Sequence, residues 1–417
     1  MRPLDSLAAW PIFQPVLERL GHLHTGDSSD TLRPERVEQL YGPVLETSVS
    51  RLEQFAACPF RFFVNSGLQA EERKKFEFEI REQGQFQHAV LAEFHQQLRQ
   101  AGQRWRDLSP NEARDRIGRI ADELLPVFQN GLMLANEQNR FLARSYKESL
   151  QRFVATVVAW MAQYEFDPVE VELGFGVKDG KLPAWELDLG DGHRLAFRGR
   201  IDRVDLWRAP GADEALCVVM DYKSSARKLD ALLLEHGIQQ QLPAYLNVLR
   251  RANHPEPVFG VSRVIPAGVF FVNLRGQYAG GSNRNQVLVA QADAQKQAYL
   301  HEGRFDLAAL RKLDKRDTLN GDQFSYRLRQ SDAQPVKGSQ APMPSDQFTA
   351  FLDRSEELLR EMGRRIFAGD AKVAPYRKGQ DTPCDKCDYQ SICRIDPWTH
   401  HYRGLKPDAE TGKEKEA

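Results

Sequence analysis

The chain has 417 residues, of which 41% are hydrophobic and 28% charged, and its formal net charge is -1. This length exceeds what one hydrophobic core usually spans, so two or three lobes are expected. The near-neutral charge argues against a protein that coats nucleic acid with its whole surface, although a local basic groove is compatible with it. No apolar run approaches the ~20 residues of a membrane helix, and no signal peptide is recognisable, which predicts a cytoplasmic protein with no membrane contact.

The N-terminal region, residues 1–46, is predicted to be a lead-in with short helical pieces. A helix start follows it, because Ser50 and Glu53 match a capping box, with Ser48 as a rival cap. A proline directly after Cys58 interrupts this helix. Cys58 is therefore expected at a helix end, where its side chain can be displayed.

Residues 47–168 are predicted to form a helical lobe. Apolar side chains recur there at helical spacing and form two stripes. The first stripe consists of Phe86, Val90, Phe94 and Leu98, and the second of Leu150, Phe153, Val154, Val157 and Met161. His88 and His95 are seven residues apart, so they share one face of the first long helix.

The pattern changes after Pro168, and residues 169–275 are predicted to be an α/β core. Strands are expected over 169–175, 183–189, 194–206, 216–223 and 264–272, with a helix over 236–251. Glycines on either side of Asp191 predict a hairpin turn. Antiparallel strands that lead into a β-α-β step indicate an α/β fold.

The C-terminal third has a weaker pattern. Residues 276–346 are rich in proline and serine and are predicted to be an irregular insertion or linker. Residues 347–400 hold a long helix, which Gly369 is well placed to end, and then three cysteines. The charged residues 401–417 are predicted to be a disordered tail.

Those three cysteines, Cys384, Cys387 and Cys393, have the spacing C-x2-C-x5-C. A fourth ligand is missing nearby, and Cys58 is the obvious candidate. An iron–sulfur cluster is favoured, with a structural zinc ion and free thiols as the alternatives. Cys217 lies within an apolar strand and is predicted to be a small core residue.

The polar end of that strand carries the strongest candidate site. Asp221 and Lys223 are two residues apart and therefore point to the same face of the strand. Asp202 lies on the preceding strand, and neighbouring strands are ~4.8 Å apart, close enough for both carboxylates to bind one divalent ion. Oxygen ligands favour Mg²⁺ or Mn²⁺, beside which Lys223 could orient a water. The alternative is a buried Asp–Lys ion pair with no chemistry.

Two further elements support a site. Gln241 and Tyr245 share one helix face and offer uncharged hydrogen bonds to a phosphate backbone. His88 follows Gly84 by four residues. Asp205, nearer the end of its strand than Asp202, is predicted to be a surface or salt-bridged residue.

In combination these motifs resemble a known family. Ile201-Asp202, Asp221-Tyr222-Lys223, and Gln241 with Tyr245 look like the PD-(D/E)XK nuclease superfamily in its RecB-like branch. The histidine after Gly84, the four cysteines and the segment 48–60 are similar to the C-terminal nuclease domain of AddB-type subunits of bacterial helicase–nucleases. The resemblance covers residues 36–400.

The resemblance implies a restriction-endonuclease-like core, a central mixed sheet flanked by helices, with an added helical lobe and an iron–sulfur staple. It assigns Mg²⁺ (or Mn²⁺) to His88, Asp202, Asp221 and the carbonyl of Tyr222, catalysis to Lys223, support and DNA contact to Gln241 and Tyr245, and a structural [4Fe–4S] cluster to Cys58, Cys384, Cys387 and Cys393. The implied reaction is hydrolysis of single-stranded DNA during double-strand break repair, beside an AddA-like helicase partner.

Two features depart from the family pattern. The gap between Asp202 and Asp221 is longer than expected, and the large helicase-like region that precedes the nuclease domain in AddB subunits is almost absent. No G-x-x-x-x-G-K-[ST] motif occurs, so the chain is predicted not to bind ATP. We therefore expect a fragment, a truncated form or a compact stand-alone relative. The alternatives are a stand-alone exonuclease of the CRISPR-adaptation or phage type and a DNA-end-binding module with a vestigial site.

Overall fold

The computed structural model describes residues 31–70, 80–277, 280, 283–339, 341–395 and 402–407. Most of the lead-in, residues 1–30, lies outside this description. Among the described residues, none of the helices combines the length and apolar character needed to cross a bilayer.

Eleven strands are described, and they form three sheets. They are β1 Val44–Thr47, β2 Asp167–Phe175, β3 Trp185–Gly190, β4 His193–Phe197, β5 Gly199–Trp207, β6 Glu214–Lys223, β7 Arg263–Asn273, β8 Glu302–Asp306, β9 Pro342–Met343, β10 Tyr376–Arg377 and β11 Arg403–Gly404. The central sheet has the order β2-β5-β6-β7-β8-β9, a second sheet has the order β1-β4-β3, and β10 pairs with β11. Because β5 and β6 are antiparallel whereas β6 and β7 are parallel, the central sheet is mixed, as expected.

The helices flank this sheet on both sides. They are α1 Pro34–Tyr41, α2 Val49–Ala57, α3 Pro59–Phe62, α4 Ile80–Gln100, α5 Pro110–Leu124, α6 Glu137–Trp160, α7 Ala231–Glu235, α8 Gln241–Arg250, α9 Glu256–Phe259, α10 Arg284–Tyr299, α11 Leu310–Leu313, α12 Ser345–Phe367 and α13 Gln390–Cys393. Short 3-10 segments span Trp105–Asp107, Phe128–Leu134, Leu307–Ala309 and Pro383–Lys386, and a π-helical turn spans Phe63–Gly67.

Two hydrophobic cores lie on opposite faces of the central sheet. Successive residues of β6 alternate between them, with Cys217 and Val219 in one core and Val218 and Met220 in the other. The first core also takes side chains from α2, α8 and α12, and the second from α4, α5 and α6. Burial on both faces explains why β6 is an almost continuous apolar run. Residues 47–168, predicted as one helical lobe, thus contribute to both faces.

The start of α2 differs from the favoured prediction. The Ser48 hydroxyl accepts a hydrogen bond from the backbone N–H of Arg51 at 3.3 Å, so Ser48 is the cap. Ser50 lies inside the helix, and the predicted Ser50–Glu53 capping box is wrong. Cys58 ends α2 as predicted, but it is buried rather than displayed.

Two elements of the predicted α/β core are each divided. The strand expected over 194–206 is two strands, β4 and β5, which meet at Arg198 and belong to different sheets. The helix expected over 236–251 is α7 and α8. Gly237, with φ +76°, lies between them, and this left-handed conformation breaks the helix.

The C-terminal third is more regular than the sequence indicates. The region predicted as irregular, 276–346, contains α10 and β8, and β8 pairs with β7 in the central sheet. Gly369 follows the end of α12 as expected, with φ +83°. The prediction of a disordered tail is wrong for residues 402–407, because β11 pairs with β10 and the Arg403 guanidinium donates to the carbonyl of Ala56.

Candidate active site

An open cleft lies where β6 ends, between α4 and the first turn of α8. Its lining consists of Gly84, Gln85, His88, Ala89, Glu172, Arg200, Asp202, Asp221, Tyr222, Lys223 and Gln241. The structure therefore brings the sequence-predicted residues from separate elements to one place. Only Tyr245, behind Gln241, is not part of the lining.

The two aspartates lie on neighbouring antiparallel strands. Arg203 pairs with Met220, so the next residues in register are Asp202 and Asp221. The backbone N–H of Tyr222 donates to Asp202 Oδ2 at 2.7 Å, which fixes that carboxylate against β6. The Tyr222 ring belongs to the core on the other face of the sheet. Strand alternation thus directs Asp221 and Lys223 into the cleft.

A third acidic residue, which the sequence did not single out, completes a compact group. His88 Nδ1 lies 3.2 Å from Glu172 Oε1 and 3.6 Å from Asp202 Oδ1. One ligand atom from each of these three residues lies within 4.8 Å of the others, and no other such group of histidine, cysteine or acidic ligand atoms occurs in the described part of the chain. One imidazole and two carboxylates at this separation could hold a divalent cation.

Lys223 belongs to a hydrogen-bonded series beside this group. Its Nζ lies 2.5 Å from Asp221 Oδ2 and donates to Gln241 Oε1 at 3.1 Å. Gln241 Nε2 in turn donates to the hydroxyl of Tyr245 at 3.2 Å. Tyr245 is buried, which favours support of the site over the DNA contact that the resemblance implied.

The electrostatics of the cleft reflect closely spaced carboxylates in a poorly solvated place. Burial, and then the charge of Asp221, raise the pKa of Asp202 to about 7. Burial also raises the pKa of Asp221, against the opposing effect of Lys223. Burial alone would lower the pKa of His88, but the hydrogen bond to Glu172 and the nearby acidic charges outweigh it and raise this pKa to about 9. Such a site favours a bound cation.

The cysteines predicted to form a metal site line one small cavity, which Phe60, Arg61 and Tyr389 also border. The four are Cys58, Cys384, Cys387 and Cys393. No three of their sulfur atoms lie within 4.8 Å of one another. Cys217 is fully buried in the first core, where burial raises the pKa of its thiol, as expected of a core residue.

A mixed sheet with carboxylates on adjacent strands, and a lysine two residues beyond one of them, is the arrangement of a PD-(D/E)XK nuclease core. The model of the PD-(D/E)XK nuclease superfamily matches residues 46–394, so the chain belongs to this superfamily.

Its relatives are large proteins, each named as the B-type component of an ATP-dependent helicase/deoxyribonuclease. The chain is 33% identical over 372 residues to the one from Moorella thermoacetica, a match that covers 88% of this chain and 31% of the relative. The proteins of the same name from Symbiobacterium thermophilum and Desulforamulus reducens are 34% and 29% identical over 368 and 400 residues, covering 87% and 94% of this chain and 30% and 34% of the relatives. The chain thus spans about a third of the length of these relatives.

Proposed function

We propose that the chain is a divalent-metal-dependent deoxyribonuclease that hydrolyses phosphodiester bonds of single-stranded DNA. The observation that carries this proposal is the convergence of His88, Glu172 and Asp202 beside the Asp221–Lys223 pair. Membership of a nuclease superfamily supports the reaction class.

The donor set fits Mg²⁺ or Mn²⁺. Carboxylate oxygens with one imidazole suit these ions, whereas thiolates are absent from this group. The residues that would hold the ion are His88, Asp202 and Asp221, with Glu172 added from the structure and the carbonyl of Tyr222 as a further ligand. When bound, a divalent ion would supply positive charge to a phosphoryl oxygen of the substrate.

Lys223 would act on the same phosphate. Its side chain is 21% exposed, so its ammonium group reaches the cleft while Asp221 and Gln241 restrict its position. An ammonium group fixed there orients a water molecule and stabilises the negative charge that develops on the phosphoryl oxygens. A purely structural Asp–Lys pair would not need to open onto a cleft lined by three further ligand-type side chains.

The decisive experiment compares the full chain with an Asp221→Ala variant on a labelled single-stranded oligonucleotide with Mg²⁺ or Mn²⁺. We expect the variant to lose activity by about 100-fold or more, because both the ion and Lys223 lose a partner. Asp293→Ala, at an exposed position of α10, is the matched control and is expected to cleave like wild type. Equal nucleolysis by Asp221→Ala and wild type would refute the assignment.

The relatives also motivate a proposal about the partner. Their shared name describes one component of an ATP-dependent helicase/deoxyribonuclease. We propose that this chain acts in double-strand break repair with an AddA-like helicase that delivers single-stranded DNA to the cleft. Stimulation of cleavage on duplex DNA by such a helicase and ATP would support this proposal. Full activity on duplex DNA without any partner would instead favour a stand-alone nuclease.

A structural [4Fe–4S] cluster is proposed for the cysteine cavity. Four thiols border the same space, and all five cysteines are free. A tetrahedral zinc ion would require sulfur atoms about 3.8 Å apart, given the Zn–S bond length, whereas here no three lie within 4.8 Å of one another. The wider spacing favours a larger group. Anaerobically purified protein is therefore expected to be brown and to contain iron and sulfide; colourless protein with stoichiometric zinc would contradict this.

A further inference from the structure

Glu53 lies in the middle of α2, but its hydrogen bonds go to another helix. Its Oε1 atom accepts the backbone N–H groups of Gln240 and Gln241 at 2.6 and 2.9 Å. These residues form the start of α8, where N–H groups have no partner within the helix. Gln240, at the N-cap position, makes no side-chain cap hydrogen bond of its own. Glu53 therefore caps α8 from a distant part of the chain.

The turn that Glu53 caps carries a side chain of the candidate active site. Gln241 accepts a hydrogen bond from Lys223 and donates one to Tyr245. The side chain of Gln240 points the other way, where it donates to the carbonyl of Leu234 and accepts from the hydroxyl of Ser355. The position of Gln241 thus depends on how the first turn of α8 is held, and Glu53 bonds that turn through two backbone groups.

We infer that Glu53 is a positioning residue, which fixes the first turn of α8 so that Gln241 holds Lys223 in the geometry required for phosphodiester hydrolysis. This inference rests on the proposed nuclease function. It assigns a role to reach rather than to charge, because one oxygen atom accepts both hydrogen bonds. Burial raises the pKa of Glu53 to about 7, and the protonated carboxyl group keeps a carbonyl oxygen as acceptor.

Two conservative variants separate reach from charge. Glu53→Gln keeps an amide oxygen at the same distance but removes the charge, whereas Glu53→Asp keeps the charge but shortens the side chain by one methylene group. We expect Glu53→Gln to retain at least about half of the wild-type kcat, and Glu53→Asp to lose about tenfold or more, since a displacement of about 1 Å can lower a rate 100-fold. Glu53→Ala is expected to lose at least as much as Glu53→Asp.

The assay uses the full chain, a labelled single-stranded oligonucleotide and Mg²⁺, with kcat and KM measured separately. KM is expected to stay within about threefold of wild type in all three variants, because the cleft is unchanged. Gln54→Ala, at the next position of α2, is the matched control and is expected to keep the wild-type kcat.

Several outcomes would overturn the inference. They are a Glu53→Gln variant as impaired as Glu53→Asp, a Glu53→Asp variant as active as wild type, and a change confined to KM. The Gln and Asp variants carry the test even if Glu53→Ala does not fold. If the wild-type chain itself cleaves no DNA, the proposed function fails. If wild type cleaves and the variants do not differ, only the role of Glu53 fails.

Discussion

The residue with the most unusual backbone in the cleft is Glu172. Its φ of +48° is left-handed although it lies within β2 and is not glycine. Its neighbours, Val171 and Leu173, pair with the two residues that flank Asp202 on β5. Such a conformation costs about 1–3 kcal/mol and persists where surrounding structure demands it. Here it places the Glu172 carboxylate beside Asp202 and His88, which indicates a functional role.

We predict that Glu172→Ala raises the Mg²⁺ concentration needed for half-maximal nuclease activity by about 10- to 100-fold, as loss of a ligand or of a residue that orients one does. Activity should recover at high metal concentration. A metal titration of the cleavage rate checks this, with Glu186→Ala, at an exposed position of β3, as control. An unchanged metal requirement would remove Glu172 from the metal site.

The sequence predicted most of the site but not this residue, and the reason is local. Strand alternation sufficed to direct Asp221 and Lys223 to one face. On β2, however, Glu170 and Glu172 alternate in the same way and look equivalent in the sequence. The structure separates them, because Glu170 is buried in ion pairs with Arg99 and Lys181 whereas Glu172 enters the cleft. Only the backbone conformation distinguishes the two, and no residue type encodes it.

Among the elements, β5 is held to the helices on one face of the sheet by a buried ion pair. The guanidinium of Arg203 donates to both oxygens of Asp205 at 2.7 and 2.6 Å, and it lies 4.7 Å from the centre of the Trp105 ring. Both charged residues are almost completely buried. The prediction of a salt-bridged Asp205 is therefore confirmed, and that of a surface position is wrong. The pair fixes the strand that carries Asp202.

We predict that Asp205→Ala lowers the free energy of unfolding by about 3–5 kcal/mol, because it leaves the Arg203 charge buried without its partner. Glu186→Ala breaks the exposed pair between Arg194 and Glu186 and should change this free energy by at most about 1 kcal/mol. Urea unfolding at neutral pH measures both. Similar losses in the two variants would mean that water reaches Arg203 and replaces its partner.

The elements missed in the C-terminal third share a cause. In β8 only Phe305 is fully buried, so the strand lacks the alternation by which a sequence reveals it. Its pairing with β7 comes from the backbone, which every sequence possesses. Between β4 and β5, similarly, strand character continues through Arg198 while the chain passes from one sheet to another. Apolar patterns predict buried faces well but do not specify which sheet a strand joins.

At the scale of the whole molecule, the two ends of the described chain meet around the cysteine cavity. The hydroxyl of Tyr389 accepts from Asn65 and donates to the carbonyl of Ala70, and Arg403 donates to the carbonyl at the end of α2. Cys58 lies at that same end. A link between segments so distant in sequence removes a large amount of conformational entropy from the unfolded chain. The proposed cluster would therefore contribute to stability far from the cleft.

Cys58→Ala tests this role. We predict that it lowers the free energy of unfolding by more than about 3 kcal/mol, because metal-binding free energy is also folding free energy, and that iron and sulfide are lost with it. Cys217→Ala, which truncates a core thiol outside the cavity, is the matched control, expected to cost about 1 kcal/mol and to keep the iron. Thermal unfolding and metal analysis of anaerobic samples measure both variants. Because α2 also carries Glu53, Cys58→Ala should lower kcat even at temperatures where the variant is folded. Wild-type iron content and stability in Cys58→Ala would exclude Cys58 as the fourth ligand.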